Sequence, residues 1–115
     1  MNIQINGKIL IAALSGEIDH HAAERLRVQI DSAFEKSSCR HIVFNMGGVT
    51  FMDSSGIGMI IGRYKKAETH GGRLVITNMS EGVTKLFNIS GLAKIISREE
   101  TAEEAIKKLG GNIND

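Results

Sequence analysis

Proline is missing from the 115-residue sequence, and cysteine occurs once, at Cys39. A lone cysteine excludes an internal disulfide. With neither a CxxC pair nor a Cys/His zinc spacing, the chain fits a reducing compartment, the cytosol by default. No apolar run reaches the ~18–20 residues that cross a bilayer. The run Ile9 to Leu14 behind Lys8 is too short for the core of a signal peptide, and acidic Glu17 and Asp19 follow at once, so it reads as a buried strand. Charge of one sign is lacking as well. Lys plus Arg number 14 against 13 for Asp plus Glu, a net +1 that argues against nucleic acid as a partner. Domains cluster at ~100–150 residues, so there is no length for a second core and two-domain enzymes are excluded. Low-complexity segments and internal repeats are absent too. What is present is 42% hydrophobic residues, enough for a real core, and 13 glycines, above the ~7% that is usual. In a chain that has no proline, those glycines require a reason.

Hydrophobic spacing lays out the elements. Ile3 and Ile5 alternate with polar residues, Gly7-Lys8 interrupts, and Ile9 to Leu14 resumes, which predicts a hairpin over about 2–15. Ala23, Leu26, Ile30, Ala33 and Phe34 recur at helical spacing. His41 to Met46 is a second buried strand ending at Gly47-Gly48. Ile57, Ile60, Ile61 and Tyr64 mark a second helix that starts near Asp53 or Ser54 and closes at Gly71-Gly72, with Arg63 on its water-facing side. Arg73 to Thr77 is a core strand. Val83, Leu86 and Phe87 form a short helix that Ser80 caps, and Lys94-Ile95-Ile96 reads as a last strand. Thr101 and Glu104 have capping-box spacing ahead of a terminal helix stopped at Gly110-Gly111. Strands alternating with helices predict one α/β domain over residues 1–115: a mixed, mostly parallel sheet of four to five strands with about four helices. The tail Gly110 to Asp115 is expected to fray.

In such sheets the functional surface lies beyond the carboxyl ends of the parallel strands. Three segments should meet there: Ser15 to His21, Thr50 to Gly58 and Asn78 to Gly82. Asp53-Ser54-Ser55-Gly56 opens a helix among backbone N–H groups without earlier partners, so a cap is the simple reading. One cap needs one side chain, however, and this site offers three, followed by Gly56 and Gly58, where glycine costs about 1 kcal/mol relative to alanine. A helix N-terminus favours anions, so a phosphate on Ser54 would lie at the positive end of the dipole, opposed by Asp53. Close packing on a neighbour accounts for Gly58 and Gly62. The dinucleotide pattern GxGxxG fails because its third glycine falls on Ile61, and the Lys-Ser/Thr pair of a phosphate loop is missing. GxSxG is absent, which argues against a serine hydrolase. His20-His21 has no third metal ligand spaced beside it and reads as capping or surface. His41 and His70 read as polar flanks, and Cys39 as a small residue before a strand. A receiver domain would need an acidic pair after its first strand, for which Glu17 and Asp19 are only an approximate substitute.

Four segments carry a family resemblance: Gly16-Glu17-Ile18-Asp19-His20-His21; Phe51-Met52-Asp53-Ser54-Ser55-Gly56-Ile57-Gly58; Gly71-Gly72; and Leu86-Phe87-Asn88-Ile89-Ser90-Gly91-Leu92. In order and across nearly the whole chain, they closely resemble the anti-sigma factor antagonists of the STAS domain family. The His-His pair favours the sporulation type, which antagonises the anti-sigma F factor, over the general-stress type, which would use the same switch on a different partner. The sequence departs from the family pattern at Asn88, where Asp is common, and at Ser80-Glu81-Gly82, which lacks a proline often seen there. The resemblance implies a regulatory protein and not an enzyme. Unphosphorylated, it would bind an anti-sigma factor that is also an ATP-dependent serine kinase, and so release the sigma factor. Phosphorylation would break that complex and a serine phosphatase would restore it. Carried over by position, the phosphorylated serine is Ser54. The partner-facing residues are Asp19, His20 and His21 together with Asp53, Ser54, Ser55, Gly56 and Gly58. A cytoplasmic protein, monomeric when free, is expected, without cofactor, metal, nucleic acid or membrane partner.

Overall fold

The computed structural model describes residues 1–111. Five strands form one sheet in chain order: β1 (Asn2–Asn6), β2 (Ile9–Ile18), β3 (His41–Met52), β4 (Leu74–Thr77) and β5 (Ser97–Glu99). β1 runs antiparallel to β2 and the other neighbours are parallel. The helices are α1 (His20–Lys36), α2 (Ser54–Thr69), α3 (Glu81–Ile89) and α4 (Ala102–Lys108). This is the mixed, mostly parallel α/β sheet that the alternation predicts. Side chains of a strand alternate between faces, and both faces of the central strands are buried. Leu10, Ala12, Leu14, Ile42, Phe44, Met46, Leu74 and Ile76 pack beneath α1, α2 and α3. Ile9, Val43 and Val75 pack against Ala105 and Ile106 of α4. Burial on both sides explains why these strands read as continuous apolar runs. Among the described residues no helix is long and apolar enough to cross a membrane.

Several boundaries differ from the sequence expectation. β2 and β3 do not stop at Leu14 and Met46 but pair on to Ile18 and Met52, with register shifts between Ala13 and Ser15 and between Gly16 and Glu17. The glycines expected to end β3 sit inside it, because a bulged strand tolerates residues that a flat pattern would break. Lys94-Ile95-Ile96 is not a strand. Leu92–Lys94 forms a 3-10 turn, the N–H groups of Ile95 and Ile96 both donate to Leu92 O, and β5 begins at Ser97. Buried Ile96 plugs the core from this turn, so apolar character there reports burial without pairing. On α2 the buried stripe is Gly56, Met59, Ile60, Arg63 and Ala67, which turns Arg63 inward against α1. Ser80 caps α3 through the N–H of Val83, and Thr101 caps α4 through that of Glu104, as their spacing predicts. Gly110 takes φ +84° and Gly111 N donates to Ile106 O, which closes α4; the rest of the expected tail, 112–115, lies outside the described residues.

At the amino ends of the strands, His41 is more than a polar flank. Its Nδ1 accepts from Arg73 N at 3.0 Å, which requires an unprotonated nitrogen there. Burial, then the charges of Arg40 and Arg73, push the imidazole below its ordinary pKa. A group lowered in this way favours the folded state above the unfolded-chain value of about 6.5 and loses that contribution as pH falls through its folded value. Acidification below about pH 6.5 is therefore expected to lower the urea midpoint. His41→Asn, which offers an acceptor that does not titrate, should flatten that part of the profile. An identical slope in the variant would remove His41 as the cause.

Candidate functional site

Two helix starts are delivered to one edge by neighbouring strand ends. Ile18 pairs with Met52 in the parallel ladder, and Asp53 N donates to Ile18 O at 3.3 Å. Each strand then turns into a helix through an aspartate cap. Asp19 accepts from Ala22 N at 2.9 Å, and Asp53 accepts from Ser55 N at 2.8 Å. The bond from Ala22 holds the Asp19 carboxyl below its usual range, with His21 and Arg25 adding to it. The carbonyl of Asp53 also takes the N–H groups of Gly56 and Ile57, at 3.0 and 3.3 Å. Asp53 thus occupies much of the donor capacity of the first turn of α2 by itself.

That leaves the serines free of capping duty. Ser54, the first residue of α2, is exposed and makes no side-chain hydrogen bond among the described residues. Ser55 is half-buried. Gly56 is buried against the strand ends: a Cβ there would lie 2.7 Å from Met52 Sδ and 3.2 Å from Ile18 Cγ2. Its missing side chain lets the first turn lie down on β2 and β3 and holds Ser54 at the rim. The expectation that packing explains Gly58 and Gly62 is overturned, because no atom lies within 4 Å of the Cβ position of either. They face a groove between α1 and α2.

His20 and His21 are exposed at the start of α1, their ring centroids 5.9 Å apart and their planes at 66°. His20 shares the groove with Ser55 and Gly58, so the Asp19–His21 and Asp53–Gly58 segments do come together. The third segment joins at the end of β3, where Ser80 and Gly82 line a cleft of about 280 Å³ with Thr50, Phe51 and Met52. Some residues here were not singled out from the sequence. Phe51, half-exposed at 51%, is one. Its place in the Phe51-Met52 pair ahead of Asp53 was the available signal. Glu24, Arg27 and Arg63 are others. Arg27 donates to Glu24 at 2.6 Å and lies 3.7 Å from Asp31. That i, i+3, i+4 cluster is visible in the sequence, whereas the contact of Arg63 with Asp31 across the helix pair is not. Burial lowers the pKa of the Arg63 guanidinium, with Asp31 opposing.

An α/β domain with two aspartate-capped helix starts side by side at one sheet edge presents an exposed serine, Ser54, at the rim. The STAS domain model matches residues 1–105, and the chain belongs to the STAS domain family. The anti-sigma F factor antagonist of Paenibacillus polymyxa is 39% identical over 113 residues, covering 95% of this chain and 97% of the relative. The solved structure of the anti-sigma factor antagonist SpoIIAA in its unphosphorylated form superposes with a TM-score of 0.83 at 35% identity, over 98% of both chains. The Bacillus cell fate determinant SpoIIAA in the phosphorylated form gives a TM-score of 0.73 at 34% identity, over 93% of this chain and 96% of that one. The fold expected from the sequence is the fold of these relatives.

Proposed function

We propose that this chain is an anti-sigma factor antagonist of the anti-sigma F type, switched by phosphorylation of Ser54. In the unphosphorylated form it binds an anti-sigma factor that is also a serine kinase, and the sigma factor is released. The kinase transfers the γ-phosphoryl group of ATP to Ser54 Oγ; ADP leaves, and the hydroxyl proton goes to a base on the kinase. A serine phosphatase hydrolyses the ester and returns the antagonist to use. The chain itself is a substrate and a binding partner in the cytoplasm, not a catalyst. Asp19, His20, His21, Asp53, Ser54, Ser55, Gly56 and Gly58 form the partner face.

The observation that carries this reading is the division of labour at the first turn of α2. Asp53 does the capping, and Ser54 is left exposed and unbonded at the rim. Likeness to a protein known in both unphosphorylated and phosphorylated forms supports the same reading. Incubation with an anti-sigma F factor kinase and ATP is expected to add one phosphate, located at Ser54 by mass spectrometry. Full labelling of Ser54→Ala would overturn the assignment.

A further inference from the structure

The two edges of the sheet are unlike. β5 is three residues long, Ser97–Glu99, and charged at Arg98 and Glu99, the second of which pairs with Lys108 of α4. Short, charged strands are how natural sheets keep an edge from pairing with another chain. β1, at the other edge, has no such guard. Its five residues, Asn2-Ile3-Gln4-Ile5-Asn6, include no charge and no proline. Nor does the hairpin engage all of its main chain. The two-residue turn Gly7-Lys8, with Gly7 at φ +60°, makes Asn6 and Ile9 the bonded pair that closes it. Bonded and non-bonded pairs alternate along an antiparallel ladder, so Asn2, Gln4 and Asn6 bond to β2 while the N–H and C=O groups of Ile3 and Ile5 point outward. Neither isoleucine bonds through its main chain to any other segment among the described residues, and the Ile5 side chain is 51% exposed.

We propose that β1 is a self-association edge, at which a second copy of this chain adds its own β1 antiparallel and the two sheets join into one. The occupant is selected by the sequence of the strand, which reads the same in both directions. With a twofold axis at Gln4, Asn2 lies opposite Asn6 of the second copy, Ile3 opposite Ile5, and Gln4 opposite Gln4. The main chain fits the same register. Ile3 and Ile5, whose N–H and C=O groups point outward, face each other and exchange both bonds, and Gln4 falls at a non-bonded pair. A slip of one residue would set those groups against residues already bonded to β2. The side chains fit as well. Ile3 packs on the main core, and residues two apart share a face, so exposed Ile5 would lie beside Ile3 of the second copy and extend that apolar face. So short a strand covers far less than the ~1,200–2,000 Å² of a stable interface. The dimer is therefore weak and reversible, and the dilute chain is monomeric. β2 separates β1 from β3, whose end leads into Ser54, and the inference does not rest on the partner reading.

Sedimentation of the full chain from micromolar to millimolar concentration tests the edge. The weight-average mass is expected to rise with concentration toward twice that of the monomer. Gln4→Lys and Gln4→Glu, which set like charges against each other across the axis, should each stay monomeric while melting as the wild type does. Mixed in equal amounts, they set opposite charges together and should dimerise several-fold more tightly than the wild type. Gln4→Cys makes the test without charge. A non-bonded antiparallel pair holds its Cα atoms about 4.5 Å apart, within the span of a disulfide, so mild oxidation should link two copies at residue 4. Cys39 is buried, so the wild type should stay unlinked under the same treatment. A wild-type mass that does not change with concentration would overturn the proposal. So would dimerisation undiminished in both charged variants, a mixture of them that associates no better than either alone, or a Gln4→Cys chain that oxidation leaves unlinked.

Discussion

Ser54→Asp is expected to weaken binding to the anti-sigma factor at least tenfold, about 1.4 kcal/mol, and phosphoserine at the same position to weaken it much further. The reason lies in what already occupies the first turn of α2. A helix N-terminus ordinarily welcomes an anion, but Asp53 takes the N–H of Ser55 with its carboxylate and those of Gly56 and Ile57 with its carbonyl. A phosphate on Ser54 therefore meets a competing negative charge next door and few free donors. It cannot be tucked back into its own protein and stays at the rim as an added charge of about −1.5 to −2. When the partner closes over it, that charge must be desolvated, and an unpaired buried charge costs about 3–5 kcal/mol. The result is close to an on-off change without rearrangement of the fold. Titration of the kinase with wild-type, Ser54→Ala and Ser54→Asp chains, at fixed nucleotide, measures it. Equal affinity of the Ala and Asp variants would discard the electrostatic account, and near-wild-type binding by Ser54→Ala is part of the expectation.

The same local geometry shows what could be read in advance. Periodicity located the main helices and the central strands, because burial of one helical stripe or both sheet faces leaves its period in the sequence. Resemblance, and not periodicity, singles out Ser54 as the serine to test. The sequence did not show which residue caps α2, since Asp53, Ser54 and Ser55 are all good caps and only backbone direction decides. Nor did it show that Arg63 turns inward. Charge pattern alone assigns an arginine to water, and the burial of this one depends on Asp31 of another helix. The end of the sheet was misread for a related reason: Ile95 and Ile96 are as apolar as a strand, but their N–H groups bond within a 3-10 turn. The glycines were the least legible feature, because the same residue answers three different demands. Gly56 lies against side chains of the strand ends, Gly62 faces open space and Gly72 lies against backbone.

Gly72→Ala is expected to be the most destabilising single methyl in the chain, by about 3 kcal/mol or more. A Cβ at Gly72 would overlap the carbonyl of Arg40 and lie 3.1 Å from His41 N. These are backbone atoms, so no change of rotamer relieves the clash. They are also held on every side. Gly72 N donates to Ala67 O at the end of α2, Arg40 N and His41 N both donate to Lys8 O, and Ile42 N donates to Arg73 O at the start of the β3–β4 ladder. Relief would require pulling β4 away from β3 at that end. For a domain of ordinary stability, about 5–15 kcal/mol, this is a large fraction of the total. Urea unfolding measures it, and a midpoint equal to wild type would show that the strand ends yield more easily than their bonds suggest. The contrast with Gly62→Ala sharpens the test, since there the methyl enters open space and should gain up to about 1 kcal/mol. Gly72 packs at the amino ends of the strands, and Ser54 stands beyond their carboxyl ends. In the fraction of Gly72→Ala molecules that remains folded, phosphorylation of Ser54 should proceed as in wild type, because one end of the sheet holds the fold and the other presents the serine.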